Sequence, residues 1–180
     1  MRIVAGERKG TRLLAPPGRG TRPTPDRVRE ALFAILADVA GARVLEPFAG
    51  TGALGFEALS RGAATVAFCE LDAAALGVLR ENATRLRYAD RCTIKRQDGR
   101  RRLAADSAAG VTYDLILLDP PYRMLPTLED HLARHLPVLL APAGRAVLES
   151  DAGAEAPSLP LPVLAQRAYG GTRITVVGHG

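Results

Sequence analysis

From residue 43 onward, short apolar runs alternate with stretches of helical periodicity, and this alternation constrains the fold more than any other feature of the chain. Strands that alternate with helices form parallel sheets whose faces are covered by the helices. The apolar runs predict strands at 43–47, 64–69, 92–96, 113–119 and 144–149, and the periodic stretches predict helices at 53–61, 73–86 and 125–140. Two more strand-like runs flank a Gly-Gly pair, which predicts a terminal hairpin with an antiparallel edge strand, at 163–169 and 172–177. The expected class is α/β, with a mostly parallel seven-stranded sheet.

The segment before residue 43 has a different pattern. It predicts hairpin strands at 2–5 and 11–15, a loop at 16–20 and an amphipathic helix at 25–39. The start of that helix is marked by the Thr24 hydroxyl as a cap and by Pro25 in the first turn. We therefore expect a small N-terminal β-hairpin ahead of the main sheet.

The length of 180 residues fits one domain. We expect a single domain, 1–180, in which 1–24 form a basic hairpin and loop and 25–180 form the core. No apolar run approaches the roughly 20 residues that a membrane helix needs, and the N-terminus lacks the apolar segment of a secretory signal. Cys69 and Cys92 are isolated thiols, which suit a reducing compartment better than a disulfide framework. These features predict a cytoplasmic protein with no membrane partner.

The positive charge of the chain is concentrated near its N-terminus. The formal net charge is +5, and residues 1–30 hold eight basic and three acidic residues, so the rest of the chain is neutral overall. Concentrated basic charge attracts polyanions because binding releases counterions from phosphates, and the planar arginine side chain suits phosphate contacts. A second basic cluster, 85–102, fits a solvated surface as well as an RNA contact. The predicted RNA-binding residues are Arg2, Arg8, Lys9, Arg12, Arg19 and Arg22.

Three glycines join the first core strand to its helix. Gly50, Gly52 and Gly55 permit a tight turn and let a ligand approach the backbone at the helix N-terminus. Glu70 ends the next strand, where a carboxylate can accept hydrogen bonds from both ribose hydroxyls of NAD or of another adenosine cofactor. Taken alone, this pattern leaves the identity of the cofactor open.

Three features favour S-adenosylmethionine (SAM) over NAD. Glu46 precedes the glycines, where it could face the cationic methionine end of SAM, whereas NAD sites present amides to a pyrophosphate. No second domain remains to hold a hydride acceptor. The fourth core strand ends in Asp119, and two prolines and Tyr122 follow it.

The segment 119–122 falls at the carboxyl edge of the predicted sheet, where ligands bind in α/β folds. Pro120 and Pro121 remove two backbone donors, so this loop presents acceptors. The Asp119 carboxylate and the Pro120 carbonyl could accept both hydrogens of an exocyclic amine, turning its nitrogen into a nucleophile toward a sulfonium methyl group held in line. Tyr122 could stack on a flipped base. The alternative is a proline-terminated strand with a loop aromatic and no catalytic role.

Several motifs also occur together in one order along the chain, at 22–33, 48–55, 57–62, 119–122 and 169–173. The Asp-Pro-Pro-Tyr loop resembles that of SAM-dependent amino-methyltransferases, which modify adenine N6, guanine N2 or glutamine N5. The whole set resembles the RsmD family, bacterial methyltransferases of guanine 966 N2 in 16S rRNA. The resemblance implies a Rossmann-like class I methyltransferase that uses SAM, is monomeric, and acts on 16S rRNA within the small ribosomal subunit or an assembly intermediate.

The resemblance further implies roles for residues that match the family's motifs. Thr24 would approach the methionine carboxylate, and Asp98 would lie near the adenine amino group. Relatives usually carry Asp in place of Glu46, and many carry Phe in place of Tyr122. The cofactor-binding candidates are Thr24, Glu46, Phe48, Ala49, Gly50, Gly52, Glu70, Leu71, Asp98 and Gly99, and the catalytic candidates are Asp119, Pro120, Pro121 and Tyr122.

Two other functions stay open at this point. One is an adenine-N6 DNA methyltransferase with the same loop, and the other is a non-catalytic RNA-binding assembly factor with a degenerate cofactor pocket. His131 and His135 could share a helix face, but we expect no metal there because no third ligand is evident. We expect Cys69 and Cys92 to be core thiols and not nucleophiles.

Overall fold

The computed structural model describes residues 1–16, 25–36 and 38–179. Its strands are β1 (Arg43–Glu46), β2 (Thr65–Glu70), β3 (Cys92–Arg96), β4 (Tyr113–Leu118), β5 (Leu140–Asp151), β6 (Val163–Tyr169) and β7 (Thr172–Gly178). Its helices are α1 (Asp26–Leu36), α2 (Ala53–Ser60), α3 (Ala73–Arg85), α4 (Gly99–Ala108) and α5 (Leu125–Leu139). The part of the chain described here contains no helix that combines the length and apolar character required to cross a bilayer.

The strands form one sheet in the order β3-β2-β1-β4-β5-β7-β6, which confirms the predicted seven-stranded α/β architecture. Strands β1 to β5 are parallel, and β7 pairs antiparallel with both β5 and β6, which confirms the terminal hairpin. The second strand of the hairpin, β7, lies inside the sheet, and the first, β6, forms the edge. The reason is burial, because Ile174, Val176 and Val177 of β7 pack on both faces while most of β6 is exposed.

Alternating side chains of the central strands pack into two cores. Val44 and Leu115 face a core shared with α1, α2 and α3, whereas Leu45 and Ile116 face a core shared with α4 and α5. Each buried leucine or valine side chain contributes about 1.5–3 kcal/mol relative to an exposed one. The two cores hold the central strands rigidly, so the ends of those strands are well-supported positions for a site.

Several predicted boundaries shift. The first helix ends at Leu36 instead of residue 39, and β5 runs from Leu140 to Asp151, beyond both ends of the predicted strand 144–149. Helix α4 was not predicted, because arginines fill its first turn and leave little apolar periodicity. Asp98 caps it by accepting a hydrogen bond of 2.8 Å from the Arg100 backbone amide.

The N-terminal hairpin pairs through an isolated antiparallel bridge between Arg2 and Arg12, which is less regular than the two predicted strands. Ile3 and Leu13 join the core beside α1 to α3. The buried Glu57 carboxylate of α2 accepts the backbone amides of Val4 and Ala5 at 2.8 and 3.0 Å. The hairpin is thus anchored to the same core as the sheet. Residues 17–24 lie outside the described residues. They include most of the predicted loop 16–20 and the candidates Arg19, Arg22 and Thr24.

Candidate active site

The strand order reverses between β1 and β4, and the candidate site lies at the carboxyl ends of these strands. In open α/β sheets this switch point is where ligands bind. Leu45 is in register with Ile116, so from the usual strand spacing and rise the backbones of Glu46 and Asp119 lie roughly 8 Å apart. One nucleobase can span such a gap, so the predicted cofactor turn and the predicted catalytic loop are brought together.

The glycine turn folds around two carboxylates. Gly50 has φ 54°, and its amide donates to Glu70 Oε2 at 2.8 Å. Gly52 has φ 78° and lies so close to α3 that a Cβ atom there would be 2.4 Å from Leu79 Cδ1. The Gly55 amide donates to Glu46 Oε2 at 2.8 Å. Glycine at these positions lets the turn approach both acids and the adjoining helix.

Glu46 is only 2% exposed. Burial raises its pKa well above the ordinary value, and the negative charges of Asp119 and Glu70 raise the pKa further, while the Gly55 amide opposes the shift. Glu46 therefore experiences the negative charge of both other carboxylates at this edge. An acidic edge of this kind favours a bound cation over a pyrophosphate.

The second and third strands end in the remaining cofactor candidates. Glu70 Oε1 accepts the Asp72 amide at 2.7 Å, and Leu71 is 55% exposed. The hydrogen bond from Arg100 lowers the pKa of Asp98. Gly99 packs against the glycine turn, because a Cβ there would lie 2.2 Å from the Pro47 carbonyl oxygen. Phe48 is half-buried and Ala49 is buried in the same turn.

The Asp-Pro-Pro-Tyr loop follows β4. Asp119 is half-buried and Pro120 is buried, whereas Pro121 and Tyr122 are exposed. Tyr122 begins a short 3-10 turn, and its hydroxyl lies 3.4 Å from Thr172 Oγ1 at the start of β7. Burial raises the pKa of Tyr122, and the charges of Glu149 and Asp119 add to the shift. The Tyr122 hydroxyl therefore experiences the negative charge of both carboxylates.

The described RNA-binding candidates differ in how strongly other groups hold them. Arg2 is 65% exposed and pairs with Asp26 at 3.2 Å, and the Arg8 guanidinium lies 5.7 Å from the centre of the Tyr88 ring. Lys9 and Arg12 are exposed, and among the described residues neither forms an ion pair. A groove of about 340 Å³ opens between the hairpin and α1, lined by Met1, Arg2, Arg12, Leu13 and Asp26.

Four of the eight basic residues in the second basic cluster make contacts within the protein. Arg91 pairs with Glu7 at 3.2 Å, Arg100 pairs with Asp98 at 2.8 Å, and Arg102 pairs with Asp106. Arg96 donates to the Leu71 carbonyl at 3.2 Å. These contacts favour a structural role for much of this cluster over the RNA contact.

Sequence reasoning missed three polar residues around the site. The buried Glu149 lies in β5, two residues before the strand ends, and the buried Asn82 bonds to both Leu14 and the Thr51 carbonyl, tying the hairpin to the glycine turn. Glu57 anchors the hairpin as described above. Two of them carried a signal: Glu149 ends an apolar run in the manner of Glu46, and Glu57 is the only charged residue in an apolar helix.

The histidines and cysteines have other surroundings. His131 Nε2 lies 2.8 Å from the Arg100 carbonyl oxygen, and its ring centre is 4.5 Å from that of His135. Within the described ranges, no group of three or more His, Cys, Asp or Glu side chains could hold a metal ion. Burial raises the pKa of Cys69 to about 11 and that of Cys92 to about 12, so neither is an activated thiolate.

The strand order and the site at the switch point define a chain with the Rossmann-like class I methyltransferase fold. A family model described as conserved hypothetical protein 95 matches residues 1–178. The chain belongs to this family, the RsmD family.

Individual relatives agree with this assignment. Ribosomal RNA small subunit methyltransferase D of Escherichia coli is 40% identical over 124 residues, which cover 68% of this chain and 61% of the relative. The chain thus aligns with only about three-fifths of that relative's length. A solved structure from Escherichia coli superposes with a TM-score of 0.84 at 32% identity, over 98% of this chain and 96% of the other. A hypothetical protein of Thermus thermophilus gives a TM-score of 0.82 at 32% identity, over 98% of both chains.

A more distant structure shares the fold. It is an RNA methyltransferase from Salinibacter ruber in complex with S-adenosyl-L-homocysteine, with a TM-score of 0.64 at 20% identity, over 86% of this chain and 91% of the other.

Proposed function

We propose that this protein transfers a methyl group from SAM to the exocyclic N2 amine of a guanine in 16S rRNA. One observation carries the proposal: the Asp-Pro-Pro-Tyr loop follows β4 and the acid-flanked glycine turn follows β1, and these two strands are neighbours at the switch point of the sheet. Membership in the RsmD family and the similarity to ribosomal RNA small subunit methyltransferase D support rRNA as the substrate.

The residues of the turn fit SAM better than a dinucleotide. The negative charges of Asp119 and Glu70 act on Glu46, and acidic groups gathered at this edge oppose a pyrophosphate and favour a cationic ligand. We propose that Glu46, Phe48, Ala49, Gly50 and Gly52 line the methionine and adenosine path, and that Glu70 holds the ribose. Leu71, Asp98 and Gly99 would border the adenine, with Thr24 near the methionine carboxylate. When bound, SAM supplies an electrophilic methyl group.

The catalytic loop would act on the substrate amine. The Asp119 carboxylate and the Pro120 carbonyl accept the two N–H bonds of the amine, which directs the nitrogen lone pair outward. Tyr122 stacks on the base, and Pro121 fixes the backbone conformation between Pro120 and Tyr122. The alkylated amine is acidic and releases its proton afterwards, so the loop needs no stronger base. Positioning supplies most of the rate enhancement.

The N-terminal hairpin would hold the RNA backbone. Lys9 and Arg12 are exposed, and Arg2 and Arg12 line the groove beside α1. Arg8, Arg19 and Arg22 complete the proposed basic surface. We propose that residues 1–180 work as one domain and as a monomer in the cytosol, with the small subunit or an assembly intermediate as substrate. The shared core of hairpin and sheet supports the single domain.

Transfer of tritium from labelled SAM tests the proposal directly. Duplex DNA, naked rRNA and assembled small subunits are compared, and digestion of the product identifies the methylated nucleoside. We expect N2-methylguanine in rRNA. Label confined to adenine in DNA would indicate the adenine-N6 DNA methyltransferase, and calorimetry that detects no SAM binding would indicate a non-catalytic assembly factor.

The Asp119→Ala variant tests the proposed amine acceptor. We expect a loss of roughly 100- to 1,000-fold in kcat with RNA affinity nearly unchanged, because the target base is the one part of the RNA that Asp119 would contact. Asp130→Ala removes an exposed carboxylate from α5 and serves as the control. Single-turnover kinetics and filter binding separate the two effects. Full activity of Asp119→Ala would exclude this role.

A further inference from the structure

Glu149 is a buried acid near the carboxyl end of β5, two residues before Asp151, and the proposed reaction has not used it. It is only 6% exposed. Leu148 is in register with Leu118, the last residue of β4. Extending this parallel register by one residue places Glu149 opposite Asp119, with both side chains on the same face of the sheet.

Tyr122 covers the same corner of the sheet. Its hydroxyl lies 3.4 Å from Thr172 Oγ1. Thr172 precedes Ile174 by two residues on β7, and Ile174 is the register partner of Glu149, so Thr172 and Glu149 lie on one face of adjacent strands. The raised pKa of Tyr122 agrees with this geometry, since after burial and the Thr172 contact the largest cause is the charge of Glu149, ahead of Asp119. A base stacked on Tyr122 would therefore lie beside both carboxylates.

The Watson–Crick edges of the purines differ at this position. Guanine carries an N1–H donor next to its N2 amine, whereas adenine has an unprotonated N1 acceptor next to its N6 amine. The amine-bearing carbon of guanine is flanked by N1 and N3. If Asp119 and Pro120 take the amine hydrogens with the N1 edge turned toward β5, N1 faces Glu149. A carboxylate there attracts an N1–H and repels an N1 lone pair.

We infer that Glu149 is a specificity-determining residue that accepts the N1–H of the target guanine and so selects guanine over bases with an unprotonated N1. The inference rests on the proposed function, because it requires an amine-bearing purine at the Asp119 loop. Discrimination of this type is strong, since an unprotonated N1 would direct its lone pair at a buried carboxylate.

Glu149→Gln and a purine analogue test the inference together. The substrate is the rRNA that the wild-type protein methylates, with either guanine or 2-aminopurine at the mapped position. 2-Aminopurine keeps the N2 amine but has an unprotonated N1. We expect the wild-type kcat/KM to favour guanine by at least roughly 100-fold. In Glu149→Gln the amide can donate to an unprotonated N1, so the preference should fall at least tenfold, with activity lost on guanine and gained on 2-aminopurine.

Controls separate this role from a structural one. Glu155→Gln removes an exposed carboxylate from the following loop and should keep the wild-type preference. Circular dichroism and SAM calorimetry report whether Glu149→Gln is folded, and Glu149→Ala, which removes the acceptor without adding a donor, gives the same test if the glutamine variant does not fold. An equal loss on both bases, or an unchanged preference, overturns the inference. A wild-type protein that forms no N2-methylguanine overturns the proposed function itself.

Discussion

Glu46 combines two requirements in one side chain. It holds the helix α2 backbone through the Gly55 amide, and it carries charge that a cationic ligand can use. Burial raises its pKa well above 4.5, so the folded chain binds more protons than the unfolded chain from about pH 4.5 upward. Protein stability without ligand should therefore fall as the pH rises through this window.

The Glu46→Gln variant tests this linkage. Glutamine retains an acceptor for the Gly55 amide but cannot ionise. We expect its free energy of unfolding, relative to wild type, to increase from pH 5 to pH 8, by at most about 1.4 kcal/mol per pH unit. Urea unfolding across this range measures the difference. Glu81→Gln, on the exposed side of α3, controls for net charge, and parallel pH curves for Glu46→Gln and wild type would contradict the interpretation.

At the residue scale, the sequence predicts a site residue when its place in the fold follows from the order of the strands along the chain. Glu46, Glu70 and Asp119 could be predicted because each ends an apolar strand, and parallel strands end at one edge. Asn82 could not, since its partners Leu14 and Thr51 are distant in sequence and meet only after the hairpin docks. The internal contacts of Arg91 and Arg102 were likewise hidden, because charge clustering does not reveal which carboxylates fold beside it.

At the scale of elements, the hairpin depends on its fit to the end of α2. The Glu7 amide donates to the Ser60 carbonyl at 2.8 Å, and the Arg8 amide donates to Ser60 Oγ at 3.0 Å. Gly6 lies so close that a Cβ atom would be 1.8 Å from the Ser60 carbonyl oxygen. The backbone contact leaves no room for a side chain, so glycine is required there.

Gly6→Ala and Gly10→Ala form a matched pair. Both glycines have a left-handed backbone, with φ of 79° and 84°, but a Cβ at Gly10 would have no atom within 4 Å. Each alanine should cost about 1–2 kcal/mol for its backbone conformation, and Gly6→Ala should cost roughly 1–3 kcal/mol more from the clash.

Thermal unfolding measures both costs, and limited proteolysis reports release of the hairpin. Equal destabilisation by the two variants would show that the hairpin docks differently.

The elements themselves were predictable where periodicity was strong. Helix α5 and strand β4 match their predicted positions closely, because their apolar spacing is regular. Helix α4 was missed because its first turn is arginine-rich and it packs through few apolar residues, chiefly its own Leu103. The order of β6 and β7 could not be read from the hairpin pattern, because only the comparison of their burial shows which strand lies inside.

At the scale of the whole molecule, charge and fold divide the surface into two sides. The hairpin packs beside α1 to α3, whereas α4 and α5 cover the opposite face of the sheet. The surplus positive charge belongs to residues 1–30, and the described hairpin contributes Arg2, Arg8, Lys9 and Arg12 to it. If this side holds the RNA backbone, the salt dependence of RNA binding should depend on which face loses its charges.

Two double variants compare the faces at the same change in net charge. Lys9→Ala with Arg12→Ala removes exposed charges from the hairpin, and Arg101→Ala with Arg134→Ala removes exposed charges from α4 and α5. Each phosphate contact contributes about 0.7 to 0.9 to the slope of log K against log salt concentration. We expect the hairpin variant to bind rRNA more weakly and to lower the slope by about 1.4 to 1.8, and the other variant to change it little. Filter binding from about 50 to 300 mM salt measures both, and an equal loss from the two faces would mean that the RNA does not follow the hairpin.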